Sequence, residues 1–219
     1  GILSKLEREG RLPIRYEGTY QIFTPERTKL AISEMKRYRN AYGGERLQFN
    51  TIKLFMDGIN QNRSGAMLEP YVDNPDYVAN TMLTVDELRD FLIELNQEKM
   101  DLHVHTMGDF AVRTVIDAVE AAKNIIKDNF YPRVTISHLE LINSEDISRI
   151  KDLDIIAIPW NPMRNINNVS GRWVNEMHWR GRMLSHIPGQ VMRAIDGPSN
   201  DEMEVNFGKT RIIYYNHHN

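Results

Sequence analysis

Three side chains that could share a metal ion stand in strand-like apolar segments: Lys53 in TIKLFMDG, His105 in DLHVHTMGD and His138 in RVTISHLE. Imidazole nitrogen is a common zinc ligand, and a lysine amine that has reacted with carbon dioxide offers an anionic carbamate oxygen. A lysine inside a sheet costs several kcal/mol unless a partner compensates its charge. These residue types predict a divalent metal site, with zinc as the preferred ion.

Other polar residues accompany this trio. Asp196, in AIDGP, closes the last candidate strand and is predicted to be a metal ligand and the base that takes a proton from metal-activated water. Alternatively, it only starts the turn before Gly197. His103, Asp57 and Asp109 are expected to support the ligands from behind or to contact the substrate, and Arg63 to hold an anionic group of a substrate.

Simpler explanations exist for each candidate ligand. Lys53 could pair with Asp57 or with a carboxylate of a neighbouring strand. His105 could donate to a backbone carbonyl, and His138 could pair with Glu140 or Glu69. Two further hypotheses concern the whole domain. It could be a non-catalytic α/β domain that binds a small molecule or serves in assembly, or a barrel enzyme that uses Lys53 as a Schiff-base nucleophile.

The elements that must position these residues alternate between strand-length apolar runs and helical patterns, which favours βα units and a parallel sheet. Thr84 and Glu87 form a capping-box pattern, and Asp109 is expected to cap the helix that follows the HVH segment. The predicted barrel domain covers residues 1–200, and an irregular tail covers 201–219. Predicted strands are 13–18, 47–58, 101–105, 133–140, 154–162 and 191–197; predicted helices are 24–44, 84–99, 109–127 and 144–152.

Composition excludes several function classes. The 219 residues carry a formal net charge of -3, and the basic residues are scattered, so nucleic acid is not an expected partner. No run approaches the ~18 apolar residues of a membrane span, so no membrane partner is expected. The absence of cysteine excludes disulfides and thiolate ligands, and it agrees with a cytoplasmic location.

The ordered run from Lys-x-Phe-x-Asp-Gly through His-x-x-Gly-Asp to His-Leu-Glu resembles the amidohydrolase superfamily, in particular its YtcJ-like branch (amidohydrolase type 3). The resemblance implies a metal-dependent hydrolase of amide-type, non-peptide carbon–nitrogen bonds, with a small-molecule substrate and metal-activated water. It also implies a distorted TIM-like (β/α)8 barrel joined to a β-sandwich. Lys53 then matches the carboxylated lysine of the fourth strand, His105 and His138 the ligands of the fifth and sixth strands, and Asp196 the aspartate of the eighth.

The chain also departs from this pattern. No histidine precedes His103, so the first-strand His-x-His pair is absent, and the β-sandwich segments are missing. We therefore expect a truncated α/β barrel that is part of a larger protein, with an incomplete site for one or two ions. An inactive fragment is the alternative. Exposed sheet edges would favour a homodimer.

Overall fold

The described strands of the protein form one seven-stranded sheet. The computed structural model describes residues 1–71, 74–159, 202–207 and 210–215. Within them the strand order is β1-β2-β3-β4-β5-β7-β6, and only β6 runs antiparallel to its neighbour. The strands are β1 Tyr16–Ile22, β2 Leu47–Phe55, β3 Asp101–Thr106, β4 Val134–His138, β5 Ile156–Pro159, β6 Glu202–Phe207 and β7 Thr210–Tyr215.

Helices connect consecutive parallel strands, as the βα pattern predicts. They are α1 Ile2–Arg8, α2 Thr28–Tyr42, α3 Val85–Glu98, α4 Asp109–Ile126 and α5 Ser144–Asp152, with short 3-10 turns at Pro25–Arg27, Asn60–Asn62 and Lys127–Asn129. Among the described helices, none combines the length and the apolar character that crossing a bilayer requires.

The two faces of the sheet differ because successive strand residues point to opposite sides. One face carries fully buried apolar side chains, such as Leu54, Val104 and Ile136, which pack against helices α2, α3 and α4 in a single core cluster. The opposite face carries Lys53 and His103, both only partly buried. The chain thus forms part of a TIM-like barrel wall, with helices outside and polar residues on the inner face, as expected.

Two segments differ from the sequence prediction. The first strand begins at Tyr16 rather than at residue 13, because pairing with Leu47 sets its start; Ile14 is 58% exposed, whereas Ile22 is fully buried. Residues 202–207 and 210–215, expected to be irregular, form an antiparallel pair in which β7 joins β5. Their sequences, EMEVNF and TRIIYY, partly alternate in the way that strands do.

The predicted cap of α4 is wrong. Gly108 occupies the N-cap position, and Asp109 is the first helical residue. The Ala66 carbonyl oxygen accepts from the N–H groups of Phe110 and Ala111, and it would lie 1.9 Å from a Cβ at Gly108. A backbone carbonyl therefore caps this helix, and only glycine tolerates its approach. The Asp109 carboxylate instead accepts the Leu68 N–H at 2.8 Å.

The capping box of α3 is confirmed, and it supports a stability prediction. The Thr84 hydroxyl accepts the Glu87 N–H at 3.2 Å, and the Glu87 carboxylate accepts the Thr84 N–H at 2.8 Å. We expect Thr84→Ala to lower the free energy of unfolding by about 1 kcal/mol, measured by urea denaturation. Thr84→Ser, which keeps the hydroxyl, should stay within a few tenths of a kcal/mol; equal losses in both variants would contradict the capping role.

Candidate active site

The predicted residues meet at the carboxyl ends of β2, β3 and β4. The strand register places Lys53 beside His103, Phe55 beside His105, and His105 beside Ser137. Because these strands are parallel neighbours, their carboxyl ends share one rim, where barrel enzymes carry their chemistry. The tertiary structure thus brings together the three described candidate ligands. Asp196 lies outside the described residues.

The rings of His105 and His138 are close together, with centroids 4.6 Å apart and planes at 63°. Residues that pair across neighbouring strands point to the same face of a sheet, and successive residues point to opposite faces. His138 pairs with Thr106, so in a regular strand its ring would point away from His105. The backbone changes at this point: φ is +76° at His138 and +44° at Leu139. This left-handed conformation ends the strand and is unfavourable for non-glycine residues, and such strain is concentrated at functional sites.

His105 is held by the segment that follows β2. Its Nε2 lies 2.8 Å from the Gly58 carbonyl oxygen, which can only accept, so Nε2 carries the hydrogen. Burial lowers the pKa of His105, which keeps the ring neutral near pH 7. The hydrogen bond to a backbone carbonyl, which was the simpler explanation for His105, is therefore present. It uses Nε2 and leaves the lone pair of Nδ1 available to a metal ion.

Lys53 does not form the ion pair with Asp57 that would have been the simplest explanation for a lysine inside the sheet. Across residues 1–71 and 74–159, its Nζ makes no salt bridge; its hydrogen-bond partner is the Ser137 hydroxyl at 3.2 Å, which itself donates to the Val104 carbonyl at 3.1 Å. Burial lowers the pKa of Lys53 to about 8. An amine with this pKa is uncharged in about a tenth of the molecules at pH 7, far more than an ordinary lysine.

His103 lies beside Lys53 and has an unused nitrogen. Its buried Nε2 has no hydrogen-bond partner among the described residues. Burial, with the nearby Lys53 charge second, lowers the pKa of His103 to about 4. Burial also lowers the pKa of His138 to about 4, followed by electrostatic interaction with His105 and Lys53. Neutral imidazoles are the form that binds metal ions. The supporting role of His103 stays a prediction.

Asp57 connects two segments of the rim. Its buried carboxylate accepts N–H groups from Gly108 at 2.8 Å, Met107 at 3.0 Å and Ala66 at 3.0 Å, and it lies 3.8 Å from His105 Nε2. Burial raises the pKa of Asp57 to about 7, although the three N–H donors favour the carboxylate. Asp57 therefore holds the loop after β2 against the turn after β3.

A buried polar network that the sequence did not indicate holds the same loop. Asn60 donates to the Glu140 carboxylate at 2.8 Å and accepts the Tyr71 hydroxyl at 2.8 Å. Arg63 has a left-handed φ of +62°, and its charge lowers the pKa of Tyr71, so it lies near this network. Burial nevertheless dominates and raises the pKa of Tyr71. Nothing in the local pattern around Asn60 distinguishes it from a surface loop residue.

The described residues offer only some of the ligands that a metal site needs. Within the described part of the chain, no group of three or more His, Asp or Glu side chains is arranged to hold an ion. The available set is instead His105, His138 and a lysine that becomes a ligand only after carboxylation. The neutral state of the imidazoles and the orphaned nitrogen of His103 agree with this donor chemistry.

This arrangement, a parallel sheet with helices on one face and imidazoles at the carboxyl rim, is that of part of a TIM-like barrel. A model of the amidohydrolase family matches residues 1–198, and the chain belongs to that family. It is 31% identical over 123 residues to the exoenzymes regulatory protein AepA of Pectobacterium carotovorum subsp. carotovorum, covering 56% of this chain and 26% of that protein. It is also 31% identical over 113 residues to the putative amidohydrolase YtcJ of Bacillus subtilis (strain 168), covering 51% and 20% respectively.

Solved structures agree on the fold. An uncharacterized metal-dependent hydrolase from Pyrococcus furiosus superposes with a TM-score of 0.59 at 26% identity, over 79% of this chain and 33% of that one. A second, from Pyrococcus horikoshii OT3, has a TM-score of 0.59 at 23% identity and shows the fold alone. The chain thus spans about a third of these structures and a smaller share of the curated relatives.

Proposed function

We propose that the protein to which this chain belongs hydrolyses amide-type, non-peptide carbon–nitrogen bonds of small molecules with a divalent metal ion, zinc being the preferred ion. The observation that supports this proposal most directly is Lys53. It is a half-buried lysine without an acidic partner among the described residues, next to neutral imidazoles at the rim of an amidohydrolase-family sheet.

In this proposal Lys53, His105, His138 and Asp196 hold the ion. A bound divalent ion would lower the pKa of a water molecule to about 7 and polarise a substrate carbonyl. The protein's own residues have separate tasks: the Gly58 carbonyl orients His105, and Asp196 takes the proton from water.

Carboxylation of Lys53 is the step that the described residues prepare. The neutral amine attacks the carbon of carbon dioxide, a nitrogen–carbon bond forms as one carbon–oxygen π bond breaks, and the nitrogen releases a proton to solvent to leave a carbamate with one negative charge. Because only the uncharged amine reacts and burial lowers the pKa of Lys53 to about 8, the reaction proceeds near neutral pH. The Ser137 hydroxyl, already 3.2 Å from Nζ, can turn to donate to the product.

This step predicts a pH dependence. At fixed carbon dioxide pressure, without metal, we expect the unsaturated carbamate signal of Lys53 in ¹³C NMR with labelled carbon dioxide to rise about a hundredfold from pH 6 to 7, because the ammonium group releases two protons when it becomes the carbamate. Above about pH 8 the amine is already neutral and one proton is released, so the rise should slow to about tenfold per pH unit. The sign follows from the lowered pKa, since the amine gains its neutral form as the pH rises. A hundredfold rise per pH unit that continues to about pH 10 would show that Lys53 is an ordinary solvated lysine.

The hydrolytic proposal is tested with the full-length protein. We expect zinc or manganese supplementation to give stoichiometric metal and to permit hydrolysis of simple N-acyl amines, with both lost in a His105→Ala, His138→Ala double variant. The matched control is His178→Ala, which none of the assignments above uses. Less than about a tenth of an equivalent of metal after supplementation would overturn the proposal.

A further inference from the structure

A row of aromatic rings extends from the candidate site to solvent. Phe23, directly after β1, stacks on Phe55 with ring centroids 4.7 Å apart and planes at 22°. Phe55 lies 5.1 Å from His105, and His105 lies 4.6 Å from His138. The strand register accounts for the row, because Ile22 pairs with Leu54 and Phe55 pairs with His105. Four neighbouring strands thus contribute one ring each along the same rim.

The outer end of this row is half exposed in the part of the chain that the structure describes. Phe23 is 53% exposed, whereas the preceding Ile22 is fully buried on the helix side of the sheet. Phe55 is only partly covered, and the Lys53 Nζ lies 5.2 Å from its ring centroid. Among the described side chains, no carboxylate pairs with Lys53 at this end of the site. The rings of Phe23 and Phe55 therefore give the rim an apolar surface beside the candidate ligands, which suits a planar apolar group.

We propose that Phe23 and Phe55 form an aromatic wall that determines specificity by stacking on an aryl or other planar apolar substituent of the amide substrate. This inference rests on the proposed function, which makes the ligand an amide substrate. The preference for an aryl substituent rests on the ring geometry. An aryl ring can continue the offset stack that Phe23 and Phe55 already form, and an aliphatic ring of equal size gains apolar contact without that alignment. The described wall has no donor or acceptor of its own that would select a polar substituent.

The test compares benzamide with cyclohexanecarboxamide, which differ in ring planarity and share the same amide. Binding to the metal-free full-length protein is followed by NMR of ¹³C-labelled phenylalanine rings. We expect benzamide to bind about three- to tenfold tighter and to shift the Phe23 and Phe55 signals. Phe23→Leu should reduce the ratio to less than about twofold, and Phe23→Tyr should preserve it.

The matched control is Tyr131→Leu, which removes a 51%-exposed aromatic ring before the amino end of β4, away from the rim. It should leave the benzamide preference unchanged. The proposed role of the aromatic wall would be refuted if Phe23→Leu left the benzamide preference unchanged. It would also be refuted if neither amide bound, or if another part of the full-length protein covered Phe23. The binding test uses metal-free protein and does not depend on hydrolysis. If benzamide binds with the expected preference but the metal-supplemented protein hydrolyses no amide, the proposed function is refuted and the aromatic wall is not.

Discussion

Replacing Lys53 with methionine is expected to weaken metal binding by at least about 10- to 100-fold, with a loss of hydrolytic activity at least as large. Methionine keeps most of the side-chain length and removes both the amine and the carbamate that it can form. Metal content after dialysis and amide hydrolysis in the full-length protein measure the two effects.

The same substitution should not destabilise the fold, which separates a ligand from a structural residue. Within the described ranges Lys53 has one hydrogen bond, to the Ser137 hydroxyl, and burial already disfavours its charge. An apolar side chain of similar size at such a position is neutral or stabilising, so the urea midpoint should stay equal or rise. Lys36→Met is the matched control, because Lys36 is exposed and pairs with Glu98. Full metal binding in Lys53→Met would contradict the assignment.

Removing the carboxylate of Asp57 is expected to give the largest loss of stability, about 3–5 kcal/mol in Asp57→Ala. The variant leaves the N–H groups of Ala66, Met107 and Gly108 without their acceptor. Each buried donor that is left unsatisfied costs about 1–3 kcal/mol, and water entering the space reduces the sum. Urea denaturation of the variant and the parent measures the difference.

Two controls make this prediction specific. Asp76→Ala removes an exposed carboxylate from the same long loop and should change stability by less than about 0.5 kcal/mol. Asp57→Asn keeps one carbonyl oxygen as acceptor and should give an intermediate loss. If Asp57→Ala unfolds at the same urea concentration as Asp76→Ala, Asp57 does not hold the rim together.

The two faces of the sheet have different tasks in the proposed function. The apolar residues that alternate with Lys53 and His103 pack under the helices and keep the strands rigid, while the polar residues face the barrel interior. A ligand built on strands is more precisely placed than one on a loop. Asp57 and the Asn60 network then fix the loop whose Gly58 carbonyl orients His105, so the loop after β2 contributes to the site without providing a ligand.

Much of the fold followed from local patterns, because periodicity and caps are local properties. The predicted helix 144–152 agrees with α5 Ser144–Asp152, and the Thr84–Glu87 capping box is present. The cap of α4 could not be predicted, because its carbonyl comes from Ala66, more than 40 residues earlier in the chain. The sequence suggested Asp109 because carboxylates are common caps, and it contained no sign that another backbone segment would fill that position.

The sequence by itself determined the alternation of βα units, the family, and the candidate ligands Lys53, His105 and His138. These depend on residue types and spacing along one strand at a time. Only the tertiary structure decided that, among the described residues, Lys53 has a serine rather than a carboxylate partner, and that His138 turns toward His105. The physical reason is that both outcomes depend on pairing between strands, and on a left-handed backbone at the end of β4, where strand alternation ceases to apply.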